Sequence, residues 1–309
     1  KNIIGIETAL ISESSQILEL IKPYQTKKKN GVIYYSGQFR DYRGELERDN
    51  TFIFINHELD GGTELFAELG QYNSDYRRLK EPAGDFSTAL LNIGSDYFYA
   101  DAIGLTAQNI ASQEAANAVR VAEGKRPLSI NTNIRIDNWR PDIGPRIINV
   151  EKETSRFLIG LRGTTDSGWD WETAILSSKA ESEDFTQNRL SNSLLEAGLA
   201  DPTSNAINIF SSDVKTALAP AIIDVYRNDT SELNSFDFKA SNPEIFNMPA
   251  GPVAMLVGYE YRKEEYTDDR DPRLDGTIKF KSTITGLTFP FVGDVLGSSP
   301  TADTTGERE

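Results

Sequence analysis

Two neighbouring stretches, Phe157-Leu-Ile-Gly-Leu-Arg-Gly163 and Trp169-Asp-Trp-Glu-Thr-Ala-Ile175, decide the fold class of this chain. In both, apolar side chains recur at alternate positions: Phe157, Ile159 and Leu161, then Trp169, Trp171 and Ile175. This spacing matches the two-residue period of a β-strand that has one apolar face. The glycine-bounded segment 163–168 between them predicts a tight hairpin turn.

Two further hairpins follow the same logic. Thr51–Leu59 and Thr63–Arg78 flank the turn 60–62, where Asp-Gly-Gly is a strong hairpin signal. Ser235–Ala240 and its continuation pair with Val253–Tyr266 across the turn 248–251. The sequence therefore predicts an all-β, antiparallel sheet of about six long strands.

Long polar stretches separate the hairpins, at roughly 79–150, 186–231 and 267–309. They are expected to be loops at the end of the sheet opposite the tight turns, with short helices at Ser191–Ala200 and Asp213–Tyr226. Short turns at one end and long loops at the other are typical of a transmembrane β-barrel of the outer membrane. On this reading the short turns are periplasmic and the long loops are extracellular.

The two faces of these strands predict two environments. Aromatic residues near the ends of the apolar face are candidates for a membrane girdle: Trp169, Trp171, Tyr259 and Tyr261. Charged residues on the other face are candidates for a water-filled lumen: Asp170, Glu172, Glu260, Arg262 and Glu264. Such alternation also occurs in soluble antiparallel sheets, so the prediction depends on the loop pattern as well.

Composition excludes several classes of function. The 309 residues include no cysteine and one histidine, which argues against thiolate metal sites, disulfides and multi-histidine metal sites. A net charge of −15 argues against nucleic-acid binding. The chain carries no nucleophile elbow, phosphate-binding loop or dinucleotide fingerprint. We therefore expect no enzymatic activity and no cofactor.

Several segments resemble the middle barrel of TonB-dependent outer-membrane receptors, with a dense resemblance from about Asn50 onward. The segments are Asp142–Val150, Phe157–Gly163, Gly168–Glu172, Asn188–Asn192, Phe238–Asn242, Met248–Val253, Gly258–Arg262 and Asp269–Gly276.

The resemblance implies a 22-stranded barrel that surrounds an N-terminal plug, in the outer membrane of a Gram-negative bacterium. Residues 1–309 are then expected to be one part of the barrel domain, without the plug and the last strands. The implied partners are outer-membrane lipid and lipopolysaccharide, the TonB complex acting through the plug, and a small extracellular ligand. The ligand would be siderophore-bound iron, an oligosaccharide or a similar scarce solute.

Aromatic and cationic loop residues are candidates for contact with that ligand: Tyr97, Phe98, Tyr99, Trp139 and Arg140. The same residues are equally compatible with packing of a loop against itself. Two alternative functions also remain open at this point, a passive porin and a soluble or surface-attached β domain that binds glycans.

Overall fold

The computed structural model describes residues 25–28, 31–34, 39–84, 91–130, 132–136 and 139–309. Positions 85–90, 131 and 137–138, which belong to the first predicted loop, lie outside the described residues. Strand accounts for 53% and helix for 14% of the structure, which is mostly antiparallel β-sheet. The all-β prediction is therefore confirmed.

Six long strands form the frame of the molecule: β3 (Glu45–Glu58), β4 (Glu64–Lys80), β7 (Arg146–Thr164), β8 (Asp170–Leu190), β9 (Ile222–Met248) and β10 (Gly251–Arg270). The shorter strands are β1 (Gln25–Lys28), β2 (Gly31–Tyr34), β5 (Asn92–Gly94), β6 (Asn133–Arg135), β11 (Lys279–Lys281), β12 (Thr288–Gly293) and β13 (Thr304–Arg308). In the described part of the chain, three α-helices lie between the long strands: α1 (Ala107–Ala122), α2 (Asn192–Leu199) and α3 (Val214–Leu218). No helix among the described residues is long and apolar enough to cross a membrane.

The long strands and β13 form one antiparallel sheet in the order β13-β10-β9-β8-β7-β4-β3. From β3 to β10, each long strand pairs with the long strand that precedes it in the chain. Successive connections therefore lie at alternate ends of the sheet. The connections 59–63, 165–169 and 249–250 are short, whereas those between β4 and β7, β8 and β9, and β10 and β13 are long. The predicted separation of tight turns from long loops is thus confirmed. Within the described residues the sheet is open, with β3 and β13 at its edges.

Several boundaries differ from the prediction because strands extend into segments that were expected to be loops, and β8 runs to Leu190 and β10 to Arg270. β7 begins at Arg146 and β9 at Ile222. The helix predicted at Ser191–Ala200 is confirmed as α2, which Ser191 caps by accepting a hydrogen bond from Leu194 N. The helix predicted at Asp213–Tyr226 is wrong beyond residue 221, because Pro220 cannot continue it and the residues that follow are rich in β-branched side chains.

One face of the large sheet carries an apolar band on its tight-turn half. Directly paired residues share a face, and the pairing joins Ile55–Ala67–Ile159–Ile175–Phe236–Tyr261 across six strands. The other large members of this apolar band are Ile53, Leu65, Leu69, Phe157, Leu161, Trp171, Phe238, Val253, Met255, Val257 and Tyr259. None of the large members is buried, and Ile175 and Tyr259 keep 53% and 60% of their surface exposed. No second layer covers this face within the described residues.

The same face changes character toward the long loops. Beyond the apolar band, the residues on this face form a charged zone: Asp75, Glu151, Glu153, Lys179, Glu181, Glu183, Glu232, Lys263 and Glu265. A soluble sheet that covers a core keeps its apolar face along the whole packed length. Here the apolar face ends about halfway along the strands.

The buried core lies among the long loops rather than against the sheet. Its fully buried members include Leu91, Ile93, Ile136, Ile143, Leu195, Leu199, Leu218 and Phe280, which come from all three long connections. We call these connections and their core the loop cluster. Their apolar residues, spread through polar segments, explain why the segments fold together.

Buried polar contacts join the three connections of the loop cluster. The Asp294 carboxylate accepts hydrogen bonds from Ser191 Oγ at 2.8 Å and Ser193 N at 2.9 Å, and it is paired with Arg273. The Glu196 carboxylate accepts from Thr283 N at 2.8 Å and from Asn92 N at 3.5 Å. Because both carboxylates are almost fully buried, losing either set of partners would leave an uncompensated charge.

Candidate functional site

The polar face of the sheet, opposite the apolar band, is the candidate functional surface. The strand pairing places all five predicted lumen residues on this face. Asp170 and Glu172 lie on β8, while Glu260, Arg262 and Glu264 lie on β10, so β9 separates the two groups. They form a surface of distributed charge rather than one compact site.

Ion pairs run across neighbouring strands on this polar face. Arg162 Nη2 lies 2.7 Å from Glu64, and Lys239 Nζ lies 2.7 Å from Glu172. A further pair across strands joins Arg156 with Glu68, and Arg262 pairs with Glu264 along β10. These pairs are partly exposed, so each contributes little to stability. Together they give a polar wall that solvent or a polar solute can contact.

The four predicted girdle residues lie near the two borders of the apolar band. Trp171 is next to the tight turn, and the carbonyl oxygen of Trp169 accepts a hydrogen bond from Thr165 N within that turn at 2.8 Å. Tyr259 and Tyr261 are the last apolar-band residues of β10 before Lys263 begins the charged zone. Whether these aromatic rings meet a membrane remains a prediction.

The predicted ligand residues of the loops have different environments. Tyr97 is 2% exposed, and its hydroxyl donates to the Ile207 carbonyl oxygen at 2.6 Å. Burial raises the pKa of Tyr97 to about 12. Tyr97 is thus a member of the loop core and offers no free hydroxyl to a solute, which favours the packing alternative at this position.

The remaining loop candidates are more accessible. Phe98 is 47% exposed, and its ring meets Tyr99 edge to face with centroids 4.9 Å apart. Trp139 and Tyr99 are partly buried against the loop core. Arg140 lies beside Gly84, which belongs to the same connection between β4 and β7. Phe98 is therefore the candidate with the largest free surface.

Sequence analysis missed a group of arginines where the polar face meets the loop cluster. Arg40 donates to both carboxylate oxygens of Glu81, at 2.6 and 3.0 Å, and these bonds lower the pKa of Glu81 to about 2. Arg146 Nε donates to the Glu81 carbonyl oxygen at 2.8 Å. Burial, with a smaller effect from nearby Arg146, lowers the pKa of Arg189 to about 10. The arginines are far apart in sequence, and only the folded chain brings Arg40 and Arg146 to Glu81.

No protein-family model matches this chain, and neither the curated proteins nor the solved structures include a match to it. The fold and site define a class in structural terms: a predominantly antiparallel β protein with one large open sheet and a separately packed loop cluster.

Proposed function

We propose that this chain is part of the wall of an outer-membrane β-barrel of the TonB-dependent receptor type, which imports a small extracellular ligand. The observation that carries the proposal is the apolar band that ends in a charged zone on the same face. The ligand classes we propose are siderophore-bound iron, oligosaccharides and solutes of similar size.

The dimensions of the apolar band fit a bilayer. On β10 the band runs from Val253 to Tyr261, which is about 27 Å along the strand at about 3.4 Å per residue. A strand tilt of about 40° reduces this length to about 21 Å along the membrane normal, close to the apolar height of about 25 Å in outer-membrane barrels. The charged zone would then lie beyond the acyl chains, where its side chains remain hydrated.

The opposite face supports the same arrangement. In a barrel the face turned away from lipid lines a wet interior, and here that face carries the ion pairs of Glu64 with Arg162 and Glu172 with Lys239. The unpaired edges of β3 and β13 would be satisfied by further strands of a closed barrel. The loop cluster would lie at the cell surface, where the ligand arrives.

Cysteine labelling of the full-length protein in Gram-negative cells tests this topology. The chain contains no cysteine, so Lys125→Cys in the loop cluster and Asp166→Cys in a tight turn each add a single thiol to it. We expect a membrane-impermeant maleimide to label position 125 in intact cells. Position 166 should react only after the outer membrane is permeabilised.

The parent protein without introduced cysteines provides the background. Equal labelling of both positions in intact cells, or recovery of the protein in the soluble fraction, would contradict the proposal. Recovery in the soluble fraction would instead favour a soluble β domain that binds glycans.

A further inference from the structure

Arg189 faces the polar side of the sheet because of a β-bulge. Along β8, odd-numbered residues such as Phe185 lie on the same face as the apolar band. Regular alternation would place Arg189 there as well. The pairing shifts between Thr186, opposite Val225, and Arg189, opposite Ile223, so one extra residue is accommodated. A bulge of this kind turns the side chains that follow it to the other face.

Asn188 is the residue that makes this bulge possible. Its φ of 57° lies in the left-handed region, where asparagine is among the few non-glycine residues that are tolerated. The side-chain Nδ2 of Asn188 donates to the Pro145 carbonyl oxygen at 2.9 Å, and its backbone N donates to the Asp224 carboxylate at 3.2 Å. The first bond holds the bulge beside the start of β7, next to Arg146.

Three arginines lie on this part of the polar face, on the adjacent strands β4, β7 and β8. Arg146 is paired with Lys80, and Arg78 is opposite Ile148, so Arg78 and Arg146 share the face to which the bulge turns Arg189. Arg189 Nη2 donates to the Leu296 carbonyl oxygen at 3.3 Å. The Nε atoms of Arg78 and Arg189 are both buried, and neither has an acceptor within the part of the chain that the structure describes.

Among the described residues, the only ion pair that these three arginines make is that of Arg146 with Glu81. Glu81 is engaged with Arg40 and lies 3.9 Å from Arg146 Nη2. The carboxylate of Asp184 accepts a hydrogen bond from the Thr186 hydroxyl at 3.0 Å. This arrangement is unusual in a chain with 47 acidic and 32 basic residues. A buried N–H of a charged group that has no acceptor raises the free energy of the folded protein. An anionic ligand could supply the missing acceptors to these arginines.

We infer that Arg78, Arg146 and Arg189 bind an oxyanion, the carboxylate or phosphate group of a small ligand, where the polar face meets the loop cluster. The planar guanidinium offers several N–H donors that match the two oxygens of a carboxylate or phosphate. The inference rests on the proposed function only for the route of the ligand, which would arrive through the loop cluster.

Isothermal titration of the purified full-length protein in detergent tests the site with two probes, inorganic phosphate and succinate. We expect the wild type to bind at least one of them. Arg189→Gln and Arg78→Gln should each weaken that binding by about tenfold or more, because each removes charged hydrogen bonds to the anion. Arg77→Gln is the matched control, since Arg77 neighbours Arg78 in β4 but faces the opposite side.

Thermal melting without ligand separates binding from a structural role. Arg189→Gln should melt at the wild-type temperature or above it, because it removes a buried guanidinium that lacks a full set of acceptors. Absence of binding of both probes by the wild type would overturn the site. So would equal losses of affinity in Arg77→Gln and Arg78→Gln, or a lower melting temperature of Arg189→Gln with unchanged affinity. Correct cysteine labelling without oxyanion binding would remove this site while the barrel proposal stands.

Discussion

Gly160 lies where the Phe66 side chain and the backbone of a neighbouring strand leave no room on the polar face. A Cβ added at this position would overlap the Phe66 ring and lie 2.5 Å from the Thr173 carbonyl oxygen. The Phe66 ring also lies 5.4 Å below the Arg162 guanidinium, so it cannot move without loss of that contact. We expect Gly160→Ala to destabilise the protein by about 1–3 kcal/mol through overpacking.

The matched control for this substitution is Gly258→Ala on the same face. Its added Cβ would meet only the Phe238 carbonyl oxygen, at 3.5 Å. Alanine loses less backbone freedom than glycine on folding, so Gly258→Ala should leave stability equal or slightly higher. Thermal melting of both variants checks the pair, and equal melting temperatures would refute the crowding argument.

Because of Tyr97, the stability of the loop cluster should change with pH in the alkaline range. Its pKa is raised from 10.0 to about 12, so the unfolded chain releases the hydroxyl proton at a lower pH than the folded protein does. The contribution of Tyr97 is therefore fully present below pH 10 and is lost as the pH rises through about 12. We expect Tyr97→Phe to melt with a weaker dependence on pH in this window.

Tyr99→Phe serves as the control for Tyr97→Phe, because Tyr99 is only partly buried beside the same core. Melting curves recorded in steps of pH would show the difference between the two variants. An identical alkaline slope in wild type and Tyr97→Phe would show that another group causes the loss.

At the scale of the helix, Ser191 does more than cap α2. It accepts a hydrogen bond from Leu194 N at 3.2 Å and donates to the buried Asp294 carboxylate at 2.8 Å. Ser191→Ala removes both contacts, and we expect it to lower the free energy of unfolding by about 2–3 kcal/mol.

Thr106→Ala is the control, because it removes only the cap of the exposed helix α1. Thr106 accepts a hydrogen bond from Asn109 N at 3.0 Å, and its loss should lower the free energy of unfolding by about 1 kcal/mol. Chemical denaturation of the two variants measures both values, and the larger effect must belong to Ser191.

The hairpins could be predicted from sequence because alternation and glycine turns act locally. The turn after Glu58 and the one after Thr164 each lie between strands whose apolar residues repeat with period two. The early start of β7 at Arg146 could not be predicted from alternation, because Ile147 lies on one face and Ile148 and Val150 on the other, so apolar residues occur on both faces. Helix α1 was missed since none of its residues is buried and its alanine-rich sequence shows little apolar periodicity.

The candidate site was only partly predictable for a related reason. A period of two correctly groups Asp170 with Glu172 and Glu260 with Glu264 on one face. It assigns Arg189 to the wrong face, because the bulge at Asn188 changes the register by one residue. Pairing between strands that are far apart in sequence places Arg78, Arg146 and Arg189 on one face of adjacent strands, and this pairing is a property of the whole sheet.

For the whole molecule, we expect residues 1–309 expressed alone in water to aggregate. Within the residues that the structure describes, the apolar band is exposed and the sheet has two open edges, at β3 and β13. Soluble monomers rarely expose contiguous apolar patches beyond a few hundred Å², and unpaired strand edges recruit other chains. Under the proposed function, detergent alone should not yield a unique fold, because detergent does not pair the open strand edges.

Size-exclusion chromatography and thermal melting without detergent check this expectation. A sharp monomer peak with a cooperative melt would mean that the apolar band is covered within a self-sufficient domain. That result would defeat the membrane proposal and favour the soluble alternative.

The buried contacts of Asp294 and Glu196 also limit how the loop cluster can diversify in sequence. Asp294 lies in the connection after β10 and pairs with Ser191 at the end of β8, while Glu196 bonds Asn92 and Thr283 on two other connections. A substitution that suits one connection must therefore remain compatible with its two neighbours. Transplanting a single connection from another protein would break these carboxylate contacts, so all three have to be inherited, exchanged or engineered as one block.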